Sequence, residues 1–422
     1  MPNRYVATLI FLVTIVAVPA SAQTDAKWQA KARKLHERLY TVDSHEDTPN
    51  ENLLNPRFDL TKDNNPDSAQ VDLPKMRRGG LDAAFWVVYM GQGPRTQEGT
   101  EAARQQAQTM FLGIEKAVKA HPTELAMATT PAEALSLERA GKRAIFIGME
   151  NGFPVGRDLS QVHAYYNQGV RYLTLCHSSN NEICDSATDP KGPEYQGLSP
   201  FGEQVVAEMN HLGMMVDVSH TSDSTFYDVL RLSRVPVIAS HSSCRALADM
   251  PRNLSDDMLR ALARNGGVIQ INFYSPYVKT EAKSSERLAA EQAFFAKWQI
   301  KTPLNVYGLP AESQQAALAE WGQLQKQFPV PLATLQDAAN QIDYAVRVAG
   351  INHVGIGSDF DGGSVLTGLR NVGDLPALTE ELVRRGYSRR DLAKIWSGNL
   401  FRVMKAVEKG KSRSAAGSAS TL

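Results

Sequence analysis

The apolar residues of this chain gather into eight short continuous runs. In order they are LYTVDSH (39–45), AAFWVVYM (83–90), AIFIGME (144–150), VRYLTLCH (170–177), GMMVDVSH (213–220), VPVIASH (235–241), GVIQINFY (267–274) and HVGIGSD (353–359). Runs of this length, rich in β-branched and aromatic residues, suit strands buried on both faces of a parallel sheet. Segments of helical period lie between most of them. Residues 199–213, 222–233 and 255–267 each open on a serine that reads as an N-cap. Eight strands alternating with helices predict an α/β fold, a (β/α)8 TIM-type barrel of the metal-dependent hydrolase kind.

Two stretches, 50–72 and 178–198, are rich in Asn, Asp, Pro and Ser and read as long loops. Residues 279–335 are too long for a simple connection and carry two helical patterns. They predict a helical insertion after strand seven. Padding or a contact between two copies of the chain, a homodimer, is preferred there over a lid. Residues 1–22 combine Arg4, an apolar run from Tyr5 to Val18 and the small-x-small sequence Ala20-Ser21-Ala22. That is the layout of a cleavable signal peptide, and it predicts a periplasmic or secreted protein. One barrel domain is expected over 23–410, followed by a frayed tail over 411–422 with no hydrophobic lipid-anchor signal and no stable membrane anchor.

Charge narrows the function. Lys+Arg and Asp+Glu each number 45, so no net basic field exists to attract nucleic acid. Selection of a small-molecule substrate must be local. The three cysteines, Cys176, Cys184 and Cys244, lack CxxC spacing, which argues against a cysteine zinc site. Their odd number leaves at least one unpaired within the chain. A Cys176–Cys184 disulfide is permitted by proximity but disfavoured, because Cys176 is placed on a strand.

In a parallel barrel, chemistry collects at the C-terminal ends of the strands. Six of the eight runs supply a candidate there: His45 and Asp47 from the first, Glu150 from the third, His177, His220 and His241 from the next three, and Asp359 from the last. Singly, each has an ordinary structural use as a cap, a core group or a turn former. Jointly they would crowd one mouth, a costly cluster unless a metal uses it. Mixed imidazole and carboxylate donors suit Zn²⁺ ahead of Mn²⁺ or Co²⁺. In an extended chain His45 and Asp47 point the same way and would share one ion. His220 and His241 would supply a second, with Glu150 bridging if it lies between them. Two ions roughly 3.5–4 Å apart would hold a hydroxide and polarise a carbonyl. Asp359 would take the water's proton and pass it to the leaving group.

The phrases DSHEDTP, DLPKMRRGGLDAAFW, IGMENG, YLTLCHSSNNEICDSATD, GLSPFGEQVVAEMNHLGMMVDVSH, SHSSCRAL, RNLSDDML, VGIGSDFDG and NLFRVMKAVE, in this order, resemble the membrane (renal) dipeptidase family, the zinc-dependent M19 peptidases. The resemblance covers most of the mature chain. It implies a (β/α)8 barrel with two Zn²⁺ per chain, one on His45, Asp47 and Glu150, the other on Glu150, His220 and His241. It further implies Asp359 as catalytic acid/base, His177 at the substrate or its tetrahedral intermediate, and Arg252 on the dipeptide carboxylate. Tyr277 would stand at the substrate site. Tolerance of a C-terminal D-residue is implied as well. Several positions depart from the family text. Ser44 and Glu46 replace Gly and Asn, Asn151 replaces Gly, and Gln341 stands where His is common. Glu46 adds a negative charge next to the ligands, with an effect expected on metal affinity or the rim. A structural consequence is expected of Gln341.

The expected activity is therefore that of a binuclear zinc dipeptidase. One alternative is a binuclear metallohydrolase of another amide, lactone or ester. His-x-Asp on strand one and a glutamate on strand three favour the dipeptidase. Another alternative is a non-catalytic exported protein that binds peptide or metal; Asp359 argues against it, since binding alone needs no proton shuttle.

Overall fold

The computed structural model describes residues 20–301 and 303–411. The expected signal peptide, up to residue 19, and the expected tail from 412 lie outside the described residues. Residues 20–22 open the first helix, Ala20–His36.

Nine strands form one sheet: β1 Val42–Glu46, β2 Ala83–Tyr89, β3 Leu125–Met127, β4 Arg143–Glu150, β5 Val170–Thr174, β6 Met215–Asp217, β7 Ile238–Ser242, β8 Val268–Ile271 and β9 Val354–Ile356. All pairings between them are parallel, in the order β1-β2-β4-β5-β6-β7-β8-β9. The sheet closes at its C-terminal rim. There the Asp47 N–H donates to Phe360 O (2.8 Å) and the Asp359 N–H to His45 O (3.0 Å). The result is the expected eight-stranded barrel, with strands shorter than the apolar runs. His177, His220 and Asp359 each lie about three residues past a strand end, on loops. Cys176 likewise lies beyond β5 rather than on it, and all three cysteines are free and buried.

β3 is the element that periodicity missed. Its three residues pair with Arg143–Ile145 of β4, the part of that edge that β5 leaves open. Three residues carry too little pattern to separate a strand from a loop.

Side-chain alternation decides what each strand presents. On β2, Ala83, Phe85 and Val87 pack in the barrel interior, while Ala84, Trp86 and Val88 join the outer core under the helices. On β4, Ala144 and Phe146 face in, and by the same parity so does Glu150 at the strand end. Phe85 and Phe146 stack at 4.8 Å and Phe401 meets Phe146 edge-on, sealing the barrel floor. Register shifts interrupt the alternation in β1, between Asp43 and Glu46, and in β7, between Ala239 and Ser242. Such shifts re-aim side chains, and they fall at His45 and His241.

The helices follow their capping signals. Ser199, Ser222 and Ser255 each accept a backbone N–H at the start of Pro200–Leu212, Asp223–Leu232 and Asp256–Asn265. The insertion after β8 contains helices Ser285–Trp298 and Ala311–Gln327, with their own small core of Phe294, Ile300, Val306, Ala317 and Leu324. It touches the loop after β5 where Lys301 Nζ meets Pro190 O at 3.3 Å. Gln341 is structural: it accepts from the Cys244 N–H (2.7 Å) and donates to Val278 O (2.7 Å), tying the loops after β7 and β8.

Candidate metal centre

Seven of the residues singled out from sequence converge at the barrel mouth. Glu150 is at the centre. Its Oε1 lies 3.2 Å from His220 Nε2 and 3.3 Å from His241 Nε2, and its Oε2 lies 3.5 Å from His45 Nε2. His220 Nε2 and His241 Nε2 are 2.9 Å apart. Asp47 Oδ2 is 3.7 Å from His45 Nε2. Three overlapping donor groups result: His45 with Glu150 and His241, Glu150 with His177 and His220, and His45 with Asp47 and Asp359.

These atoms fit a cation rather than one another. His45 Nε2, Asp47 Oδ1 and Glu150 Oε1 are buried and have no hydrogen-bond partner. Buried polar atoms are ordinarily satisfied, and leaving one bare is costly. Here the bare atoms are imidazole and carboxylate donors pointing at one another's neighbourhood, the chemistry that zinc ligation uses.

The electrostatics agree. Burial lowers His220 and His241 well below the ordinary imidazole value, which leaves lone pairs available. Burial raises the carboxyls of Asp47 well above the usual range and Asp359 to about 6. Burial alone would raise Glu150 too. The charges of His45, His241 and His177 outweigh it and hold Glu150 well below the usual range. Burial pulls His45 down, yet Glu150, Asp47 and Asp359 push it up to about 10. The carboxylates around His45 thus demand positive charge at that point, and a divalent cation would supply it.

Backbone strain is concentrated at the same place. His220, Asp359, Asp361 and Asn151 have φ of 67°, 64°, 65° and 72°. Non-glycine residues seldom adopt this region, and Asn and Asp tolerate it best. Asn151 directly follows Glu150 and takes a left-handed conformation that glycine would adopt freely. Its side chain pays back by donating to Met90 O (2.9 Å) and accepting from the Phe153 N–H (3.1 Å). Gly362 must be glycine, since a Cβ there would come within 2.2 Å of Asp47 Oδ2 and 2.5 Å of Asp359 Oδ1.

Around the centre, Arg252 is 2% exposed and donates from Nη1 to His241 O (2.6 Å). Its Nε and Nη2, one edge of the guanidinium fork, are buried without a partner. The Tyr277 ring lies 4.6 Å beneath its Cζ. His177 Nδ1 is 3.1 Å from Ser178 Oγ, and its ring is 4.3 Å from that of His220. Glu46 is turned away: its Oε2 accepts from Trp86 Nε1 at 3.2 Å within the barrel wall, and burial, then Asp43 and Asp361, hold it well above the carboxylate range. Asp43 is structural, its Oδ1 accepting from the Ser358 N–H (2.8 Å) to help close the barrel.

Sequence reasoning missed the layer below. Tyr172 OH lies 2.9 Å from His45 Nδ1, and Ser240 Oγ lies 2.9 Å from His241 Nδ1 and 2.6 Å from Asp217 Oδ2. The available signal was a lone acid, Asp217, inside the apolar run GMMVDVSH.

Comparison with known proteins adds the following. The family described as "Membrane dipeptidase (Peptidase family M19)" matches residues 29–418. The dipeptidase aclJ of Aspergillus oryzae is 33% identical over 345 residues, covering 80% of this chain and 70% of that protein. Among solved structures, the probable dipeptidase PvdM of Pseudomonas aeruginosa is 32% identical with a TM-score of 0.83, covering 91% of this chain and 99% of that one. A metallopeptidase of Rhodobacter sphaeroides, bound to a phosphinate mimic of the dipeptide L-Ala-D-Ala, shares the fold at 23% identity and a TM-score of 0.69, covering 87% of this chain and 99% of that one.

Proposed function

For a chain that belongs to the membrane dipeptidase family, peptidase family M19, and is therefore a metal-dependent dipeptidase, we propose a two-zinc centre shared through Glu150. His45, Asp47 and Glu150 would hold one ion, and Glu150, His220 and His241 the other. The observation that carries this reading is the set of buried, partnerless donor atoms on His45, Asp47 and Glu150. When bound, such ions supply charge stabilisation at the scissile carbonyl and acidify water.

The chain's own residues do the remaining work. The unpaired Nε and Nη2 of Arg252 would grip the free carboxylate of a dipeptide in a bidentate bond. Tyr277 stacks under that guanidinium and fixes its plane. Asp359, raised to about 6 chiefly by burial, is poised to accept a proton from water near neutral pH and give it to the leaving amine. His177, kept neutral chiefly by burial, would donate a hydrogen bond to the oxygen that gains charge. A carboxylate clamp on Arg252 selects the peptide bond next to a free C-terminus, and dipeptides are the substrates that the family implies. A C-terminal D-residue is proposed to be accepted, and L-Ala-D-Ala is the first such substrate to try.

The protein is proposed to be exported, with residues 1–22 removed. No helix among the described residues is long and apolar enough to cross a membrane. Exposed Leu288 and Leu318 on the insertion would serve a contact between two copies of the chain.

The test is hydrolysis of a panel of L,L and L,D dipeptides by residues 23–422, beside Asp359→Asn. Turnover should fall by about 10²–10⁴-fold in the variant, with its metal content unchanged. A metal-loaded protein that turns over no dipeptide, while cleaving a lactone or ester, would move the function to that alternative.

A further inference from the structure

The proton count beneath the mouth leads to one inference, which rests on the two-ion reading above. Tyr172 is fully buried, and its single hydroxyl proton goes to Ser44 O at 3.0 Å. Its oxygen can then only accept from His45 Nδ1, 2.9 Å away. Ser240, also fully buried, gives its proton to Asp217 Oδ2 at 2.6 Å and accepts from His241 Nδ1 at 2.9 Å; His45 Nδ1 lies farther from it, at 3.5 Å, and has Tyr172 as its nearer partner. Asp217 is fixed as an acceptor by two N–H groups, from Ser219 (3.1 Å) and Ser240 (2.8 Å), and by the Thr174 hydroxyl at 2.5 Å. Both imidazoles therefore carry hydrogen on Nδ1 and turn the Nε2 lone pair toward Glu150.

We propose that Tyr172 and the Asp217–Ser240 pair are positioning residues that set the tautomer of His45 and His241, each governing the affinity of a different one of the two ions. Tyr172 acts on the ion held by His45, Asp47 and Glu150. Ser240, through Asp217, acts on the ion held by Glu150, His220 and His241. The Tyr172 ring marks the boundary between the apolar floor, where it lies 5.3 Å from Phe85, and the polar mouth that its hydroxyl reaches. Room for it exists because residue 148 is glycine: a Cβ there would come within 2.3 Å of Tyr172 Cζ. Outer hydrogen bonds of this kind orient a ligating histidine and raise its basicity.

The test is titration of chelator-stripped protein with Zn²⁺ in competition with a chromophoric chelator. Tyr172→Phe and Ser240→Ala are compared with wild type, with the double variant, and with Thr41→Val. The last removes an equally buried hydroxyl, bonded to Gly80 O at 2.6 Å at the opposite end of β1. Each single variant should weaken one of two binding steps by about 10–100-fold and spare the other. The double variant should weaken both, and Thr41→Val neither. The proposal is overturned if both single variants weaken the same step, if neither step changes, or if Thr41→Val weakens binding as much. A variant that does not fold is replaced by Tyr172→Leu or Asp217→Asn, read by the same criteria. Wild-type protein that takes up no zinc would instead overturn the two-ion reading itself.

Discussion

The two ends of this barrel are built to opposite rules. At the floor, Phe85, Phe146, Phe401 and Val42 fill the interior with matched apolar surface. At the mouth, carboxylates and histidines are buried together, donor atoms lack partners, and four non-glycine residues hold positive φ. A fold tolerates such cost only where something else compensates it, and strain of this kind gathers at functional sites. The floor should therefore answer to stability and the mouth to metal and substrate.

The strongest way to break that division is at Glu150, the residue both donor sets share. Glu150→Gln removes the bridging charge, and it should abolish uptake of both ions and reduce dipeptide hydrolysis to background. Metal analysis and a dipeptidase assay check this. Retained activity would place the chemistry elsewhere.

Arg252→Met should be next. It deletes the partnerless fork and should lower kcat/KM for dipeptides by about 10–100-fold, the worth of a charged hydrogen bond of roughly 1.5–3 kcal/mol. Dipeptide amides, which lack the carboxylate, should lose far less. Equal losses on both substrates would make Arg252 a structural residue.

Phe146→Ala tests the floor. Loss of a stacked, fully buried ring should cost about 3–5 kcal/mol of stability by denaturant melt. Zinc content and kcat of the folded fraction should stay as in wild type. A change in metal content would mean that the two ends are not separable.

The smallest effect concerns pH. At the floor end, burial raises the Asp82 carboxyl to about 6, although it accepts the Thr41 N–H at 2.9 Å. The folded chain keeps a proton that the unfolded chain releases near about pH 4. The folded state thus binds more protons across that window, and stability must fall as pH rises through about 6. Asp82→Asn should flatten this decline between about pH 4 and 6, measured by denaturant midpoints of chelated protein. An unchanged slope would assign it to the mouth carboxylates.

The sequence revealed the mouth more readily than its support. Histidines and acids at the ends of apolar runs were visible because polar residues are conspicuous there, and the barrel followed from the runs themselves. Hidden features were those that depend on register. The shifts in β1 and β7 re-aim His45 and His241 without leaving any trace in composition. Tyr172 and Ser240 look like ordinary strand residues until three-dimensional neighbours reveal whose nitrogen they face. β3 was too short to carry a period. Glu46, between the two candidate ligands in sequence, points the other way as strand alternation implies, and only the structure names its partner, Trp86.

The central claim is two ions sharing Glu150. The most direct measurement is a crystal of zinc-loaded protein with anomalous scattering recorded at the zinc edge. Two peaks are predicted, roughly 3.5–4 Å apart, one against His45 and Asp47, the other against His220 and His241, with Glu150 between them. A single peak, or two peaks that do not share Glu150, would contradict it.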